Sequence, residues 1–464
     1  MKVCKPLEDT IAAIATPLGT GGIGIIKISG PEAWAVGRHL FHLSGSPKTI
    51  HSHHLYHGHI IEPGTNSTVD EALISFMRGP ATYTREDVVE INCHSGLAAL
   101  DRILELVIRA GARLAEPGEF TRRAYLNGRI DLTQAEAVLD LVSSKTRRSL
   151  HLASEHLRGG LQTVITELRS HLLDTLAMLE AAIDFPEEDL EILAEAELAA
   201  RVRQQVKEPI TELLEHYEDG RILREGLSVI IAGKPNVGKS SLLNNLLRSN
   251  RALVTPFPGT TRDVIEESVS LRGIPLRLVD TAGLRQANDL VEKLGMEFTR
   301  ERLSQADLVL FVLDRSGSLS FEDLQIYEDI NGKSRVVVLN KIDLDPHPDF
   351  ASVSQRFPEE TVVEISALHG DGMEQLKDAV FHTILGHKLD TETSVVAPNL
   401  RHKLCLERAL DAVNRALQLL DRRSLVELIA LEVQEALVHL GEIIGLTTTE
   451  DLLDQIFSQF CLGK

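Results

Sequence analysis

Eight consecutive residues, Gly233-Lys234-Pro235-Asn236-Val237-Gly238-Lys239-Ser240, constrain this chain more than any other stretch of it. They match the P-loop pattern, follow the apolar run Leu227–Ala232 and precede a helix-like run, Ser241–Leu247. The glycines let backbone N–H groups wrap phosphate oxygens at a helix N-terminus, where the helix dipole also favours anions. Such a loop works only between a strand and a helix, and its surroundings supply both. Strand-like runs at Leu227–Ala232, Leu276–Asp280, Leu308–Leu313, Val336–Asn340 and Val362–Ile365 alternate with helical stretches, the rhythm of a parallel sheet with helices on both faces.

Within that α/β unit the phosphate site is expected to use Asn236, Val237, Gly238, Lys239, Ser240 and Ser241. Lys239 would reach the β- and γ-phosphates and the Ser240 hydroxyl would hold Mg²⁺. Three further motifs follow in order. Gly259-Thr260-Thr261-Arg262-Asp263 offers Thr261 as a second protein ligand of Mg²⁺. Asp280-Thr281-Ala282-Gly283 ends a strand, placing Asp280 near the metal and the Gly283 N–H near the γ-phosphate. Asn340-Lys341-Ile342-Asp343 ends another strand, and the Asp343 carboxylate can accept from both N1–H and N2–H of guanine. Adenine has no such donor pair, so acceptors buried without partners would reject ATP. Ser366-Ala367 matches the last guanine-contacting element. The expected chemistry is Mg²⁺-dependent hydrolysis of GTP. One position departs from many GTPases: Leu284 stands where a glutamine often orients the attacking water, and it cannot hydrogen-bond. Arg262 and Arg285 are the candidate cis arginines.

A length of 464 residues suggests about three domains. Up to Leu126 the pattern is α+β, with strands at Ile11–Ala15, Ile23–Ile28, Ala72–Met77 and Val88–Cys93 and one helix at Leu97–Ala110. From Asp131 it turns helical: Thr133 and Glu136 have capping-box spacing, and amphipathic stretches run to about Tyr217. Helical character returns after Pro398, where Leu406, Leu410, Val413, Leu417 and Leu420 form one apolar seam. The economical reading inserts the α/β domain (223–386) into a helical domain made of 127–222 and 387–464, preceded by an N-terminal domain (1–126). Two separate helical domains are the alternative.

The net charge of −20 and the 4% aromatic content argue against a protein that coats nucleic acid, which needs basic and stacking surfaces. Cys4, Cys93, Cys405 and Cys461 lie far apart, so neither a disulfide framework nor a zinc knuckle is expected. With no signal-like or membrane-spanning run, the expected compartment is the cytoplasm. Gly19–Gly24 matches GxGxxG, but a strand-like run follows it, which reads as a turn. His51, His53, His54, His57 and His59 read as a solvated edge or turn, and the acidic run Pro186–Glu197 as an exposed helix start or linker. Arg122, Arg123 and Arg129, with Lys145, Arg147 and Arg148, form the best basic cluster; a solvated face and contact with an anionic partner both stay open. Cys461 is either a small buried side chain or a reactive thiolate.

The G motifs, the asparagine inside the P-loop, the stretches Ala15-Thr16-Pro17 to Ser29-Gly30 and Pro117-Gly118-Glu119-Phe120-Thr121, and the terminal Cys461-Leu462-Gly463-Lys464 together resemble the MnmE (TrmE) family of tRNA-modification GTPases. The resemblance covers the whole chain. It implies a homodimer joined through N-terminal domains, and a flavoprotein partner, MnmG (GidA), that carries FAD and with it forms a heterotetramer. It further implies joint addition of an aminomethyl-type (carboxymethylaminomethyl) group to C5 of the wobble uridine of certain tRNAs. The one-carbon unit would come from a reduced folate (5-formyl- or methylene-tetrahydrofolate) held by Lys27, Glu90, Arg129 and Lys464. K⁺-dependent pairing of two G domains would accompany hydrolysis, with Asn236, Thr255, Phe257 and Thr260 as K⁺ ligands and Glu292 positioning water. The competing reading is a GTP-driven switch in RNA or ribosome assembly of the Era or Der kind. It leaves the N-terminal stretches and the tail unexplained.

Overall fold

A computed structural model describes residues 9–19, 21–45, 49–184, 195–249, 267–280, 306–350, 356–358, 360–385 and 396–463. The N-terminal part is a seven-stranded sheet of β1 (Ile11–Ile14), β2 (Ile23–Ser29), β3 (Phe41–Leu43), β4 (His54–Ile61), β5 (Thr68–Met77), β6 (Val88–His94) and β7 (Arg113–Leu114), in the order β3-β4-β5-β6-β2-β1-β7. Side chains alternate across such a sheet. Ile26, Ile28, Ile74, Phe76 and Ile91 therefore share one face, covered by Leu100, Ile103 and Val107 of the Leu97–Arg109 helix and by the Ala33–Leu40 helix. Lys27 faces the other way.

Two local expectations need correction here. This part holds helices at Ala33–Leu40 and Glu119–Leu126 besides the one anticipated; each has eight residues, too few for a helical period to stand out. The histidine run is not a turn for most of its length but strand β4, paired with β3 and β5, with His57 bonded to Glu71 at 2.7 Å. Among the described residues no group of acids, cysteines and histidines could hold a metal ion. Gly21–Gly24 leads into β2 rather than into a helix, as anticipated.

The helices on either side of the G domain share one core. Leu161, Ile165, Leu168 and Leu172 of the Gly160–Asp184 helix pack with Leu406, Val413, Leu417 and Leu420 of Leu400–Asp421 and with Val433 and Leu440 of Val426–Ile444. Neither half could bury its apolar stripe alone, so the inserted arrangement holds and separate helical domains do not. The capping box is shifted from its expected place. Asp131 caps the Leu132–Ser143 helix, with Oδ1 accepting from Thr133 N (2.7 Å) and Gln134 N (3.1 Å), while Gln134 Oε1 accepts from Asp131 N. Glu136 is released for tertiary work: Arg401 donates to both its oxygens (2.8 and 2.9 Å) and His402 Nε2 lies 2.7 Å away.

The G domain is entered after the Tyr217–Glu225 helix and left before Val396. Arg224 ties the two crossings together by donating to Ala397 O (3.0 Å) and Pro398 O (2.6 Å). Close by, burial lifts the Asp140 carboxyl to about 6 against the opposing pull of Arg224. A carboxyl with a raised folded-state pKa binds its proton more tightly when folded, so its stabilising contribution is lost as pH rises from about 4 through 6. Asp140→Asn should therefore gain roughly 1–2 kcal/mol over the native chain at pH 8 and nearly nothing at pH 4. Urea midpoints at both pH values check this, and equal shifts at both would contradict it.

Strands β8 (Leu227–Ala232), β9 (Glu267–Leu271), β10 (Ile274–Asp280), β11 (Leu308–Asp314), β12 (Arg335–Asn340) and β13 (Thr361–Glu364) lie in the order β13-β12-β11-β8-β10-β9. All pairs are parallel except β9–β10. The antiparallel edge strand β9, ESVSL, has too few apolar residues to be seen as a buried strand in advance. At the far end of the chain, Phe457 and Phe460 pack on Leu132, and the tail reaches the N-terminal sheet. Gly463 (φ +90) is buried so close to β1 that a Cβ there would sit 2.5 Å from Ile14 O. Among the described residues no helix is long and apolar enough to cross a membrane.

Candidate functional site

Three strand ends build the nucleotide site, because parallel strands deliver their C-terminal residues to one edge of the sheet. β8 ends in the P-loop, followed by the Lys239–Ser249 helix. Gly238 (φ +100) is needed for close approach, since a Cβ would collide with the Asn340 side-chain amide. That amide joins the other two strand ends to the loop: Asn340 Nδ2 donates to Val237 O (2.7 Å) and its Oδ1 accepts from Ala367 N (2.9 Å). Asn340 is thus a buried bracket rather than a surface contact. Lys239 Nζ donates to Gly233 O (2.9 Å) and Lys234 O (2.6 Å), so its ammonium already lies inside the loop that would receive phosphate. The Ser240 hydroxyl stands exposed at the start of the helix, a hard oxygen donor suited to Mg²⁺.

At the base-recognition end, Ser366 Oγ donates to Asp343 Oδ1 at 2.6 Å, and this bond holds the carboxyl below its usual pKa. Asp343 is therefore ionised at neutral pH and ready to accept. It is exposed, however, and not the buried acceptor pair inferred above. Discrimination against adenine must then arise when the base itself covers the carboxylate. Lys341, at φ +67, is fixed by Asp314 at 2.6 Å. Burial opposes ionisation of Asp314, but the bonds from Lys341 and Ser316 outweigh it and lower its pKa. Asp314 escaped the motif reading; the available signal was its place as the last residue of β11, in register with Asn340.

Several expected residues lie outside the described ones: Thr255, Phe257, Thr260, Thr261, Arg262, Thr281, Ala282, Gly283, Leu284, Arg285, Glu292 and Lys464, as do Cys4 and most of the acidic run. For Asp280 only its backbone in β10 is described.

A second cluster forms on the free face of the N-terminal sheet. Lys27 and Glu90 are register partners on β2 and β6, 3.7 Å apart at their charged ends. The Lys27 ammonium lies 5.6 Å from the Tyr83 ring and 5.5 Å from that of Phe120, while the Arg129 guanidinium covers Tyr83 at 4.7 Å. Burial raises the Tyr83 phenol's pKa and keeps it neutral. Two cations, one carboxylate and the part-exposed Tyr83 ring, with the buried Phe120 behind Lys27, suit a flat ring carrying acidic and amide groups. Tyr83 and Phe120 were missed as members of this cluster because they are distant in sequence and adjacent only in the fold. The tail's contact at Ile14–Ala15 lies one residue along β1 from Ala13, the register partner of Lys27.

The basic cluster does not hold together. Arg123 is buried against Asp9 (2.7 Å), Glu119 (2.9 Å) and Glu86 (3.2 Å), and Arg122 pairs with Asp454. Arg148 lies elsewhere, against Gly273 of the β9–β10 turn. Cys461 is exposed rather than buried.

Comparison with known proteins places the whole chain. A family model described as the N-terminus of the GTP-binding protein TrmE matches residues 10–129, and one described as the MnmE helical domain matches residues 132–461. A tRNA modification GTPase MnmE from Syntrophobacter fumaroxidans is 49% identical over 467 residues, covering 99% of each chain. One from Alkaliphilus oremlandii is 45% identical over 461 residues, covering 99% of this chain and all of the relative. Among solved structures, Era from Aquifex aeolicus bound to GDP and aluminium fluoride is 30% identical, covers 40% of this chain and 66% of that one, and gives a TM-score of 0.29, too low to bear on the assignment. The family models take in both the N-terminal sheet and the helices on either side of the P-loop domain, and the relatives match end to end: this chain belongs to the MnmE family of tRNA modification GTPases.

Proposed function

We propose that the chain couples GTP hydrolysis to addition of an aminomethyl-type group at C5 of the wobble uridine of certain tRNAs, acting with an MnmG-type flavoprotein that carries the FAD. The observation that supports this most is the docking of the Cys461–Gly463 tail on β1, beside the Lys27, Glu90, Arg129 and Tyr83 cluster. A G domain alone has no use for such a cluster. The cluster's charges and aromatic faces fit a reduced folate, which when bound would supply the one-carbon unit; Lys464 would complete the pocket. The Era-like or Der-like switch has no comparable support.

In the same reading Ser240 and Thr261 hold Mg²⁺, and Asn236, Thr255, Phe257 and Thr260 hold K⁺. Glu292 orients water. The domains divide at 1–126, 127–222, 223–386 and 387–464, and two copies pair through their N-terminal domains in the cytoplasm, forming a heterotetramer with the partner. Deleting Leu462–Lys464 should weaken binding of 5-formyltetrahydrofolate at least tenfold and abolish wobble-uridine modification in cells, while GTP turnover stays within about twofold, because the tail docks on the N-terminal sheet and not on the G motifs. Calorimetry, nucleoside mass spectrometry and phosphate release provide the three readouts. Intact folate affinity in the deletion would discard the pocket. Unchanged wobble uridine in cells lacking the whole gene would favour the switch.

A further inference from the structure

The second residue of the P-loop is turned away from the phosphate side. Lys234 Nζ lies 2.6 Å from Asp323 Oδ2 and 2.9 Å from Ser320 Oγ, at the start of the Phe321–Asp329 helix. Those two residues are themselves locked. Ser320 N donates to Asp323 Oδ2 (2.8 Å), Asp323 N donates to Ser320 Oγ (3.4 Å), and Asp323 is 2% exposed. The other carboxylate oxygen, Oδ1, is buried with no hydrogen-bond partner among the described residues, so Lys234 is the one cation paired with Asp323 there.

Two positions further on, Asn236 holds φ +65. Asparagine adopts that conformation more readily than other residues with a side chain, and contacts along the loop select it here. A cavity of about 160 Å³ borders this stretch, lined by Lys234, Pro235, Asn236, Asp323, Lys341 and Phe350 among others. The loop is pinned on both sides of Asn236: before it by the Lys234 side-chain clamp and by the Lys239 bonds to Gly233 O and Lys234 O, and after it by the Asn340 bond to Val237 O.

We infer that Lys234 is a positioning residue for GTP hydrolysis, its clamp to Asp323 and Ser320 holding Asn236 in the left-handed conformation in which that side chain serves the transition state. The inference rests on the reading that Asn236 takes part in hydrolysis. The phosphate-binding amides from Val237 onward and Lys239 follow the Asn340 pin, so loss of the clamp should spare ground-state binding. The signature is a fall in kcat without a matching fall in GTP affinity.

Lys234→Met should lower kcat about tenfold while the affinity for a fluorescent GTP analogue stays within about twofold. Lys234→Arg should recover most of the loss, and Asp323→Asn should reproduce it; if Lys234→Met does not fold, Asp323→Asn carries the test. Combined with Asn236→Ala, Lys234→Met should add no further loss, because it acts through the residue already removed. Native kcat in Lys234→Met, an equal loss of affinity, or an additive loss on the Asn236→Ala background would each overturn the clamp. Native turnover in Asn236→Ala alone would instead overturn the reading of Asn236 and leave the clamp without a purpose in hydrolysis.

Discussion

GTP turnover should fall about a thousandfold when KCl is replaced by NaCl at equal ionic strength, and Asn236→Ala should lose most of the activity in KCl. The phosphoryl-transfer transition state spreads negative charge that many GTPases neutralise with an arginine, whose removal costs a factor of about 10³ or more. This chain has Leu284 in place of the usual glutamine, and its candidate arginines, Arg262 and Arg285, have no distinguishing motif. A monovalent cation held by Asn236 and the 255–260 segment would supply that charge when bound. Asn236 is exposed on the P-loop, at φ +65. The smaller sodium ion should fit oxygens spaced for potassium less well. Phosphate release in the two salts decides the matter: comparable native turnover in both would refute the cation's role. Glu292→Ala is a separate arm, and full activity there in KCl would remove only its part in orienting water.

Asp343→Asn should weaken GTP binding by two orders of magnitude or more and make xanthosine triphosphate the better ligand. The Asp343 carboxylate is kept ionised by the Ser366 hydroxyl on one oxygen, leaving acceptor capacity for the two N–H donors of guanine. An amide replaces one acceptor with a donor, which meets a guanine N–H head-on but suits the carbonyl that xanthine carries instead. Sites built on paired hydrogen bonds discriminate by factors of about 10⁴ when a partner is wrong. The exposure of Asp343 softens that figure, because water can satisfy part of the mismatch. Titration with fluorescent GTP and XTP analogues measures the reversal. Equal GTP affinity in the mutant would remove Asp343 from the base site.

Legibility differed between the two sites for a physical reason. The G motifs are local: each is a strand end plus a few residues, and their order and spacing carry the chemistry. Asn340 is legible as part of the guanine motif, yet its bracket between Val237 and Ala367 spans elements more than 100 residues from the P-loop and appears only in three dimensions. The cluster around Lys27 and Tyr83 is the opposite case. Lys27, Glu90 and Arg129 came from resemblance alone; Tyr83 and Phe120, which organise them, came from the fold. Glu136 shows why spacing can mislead. Thr133 and Glu136 have the right separation for a capping box, but Asp131 and Gln134 have it too and begin two residues earlier. Both pairs satisfy the local rule, and only the demand of Arg401 and His402 for a buried carboxylate separates them.

What the sequence by itself determined is the P-loop domain, its guanine preference and its position between two helical stretches; that those stretches form one domain was decided by their shared core. Backbone periodicity and short motifs act over a few turns or strands and need no distant partner to be recognised. What only the tertiary structure decided is where distant charges meet: Glu136 with Arg401, Lys234 with Asp323, and the tail on β1. A buried charge stays ionised only beside an opposite charge or several donors, and nothing in a linear pattern says which distant segment supplies them.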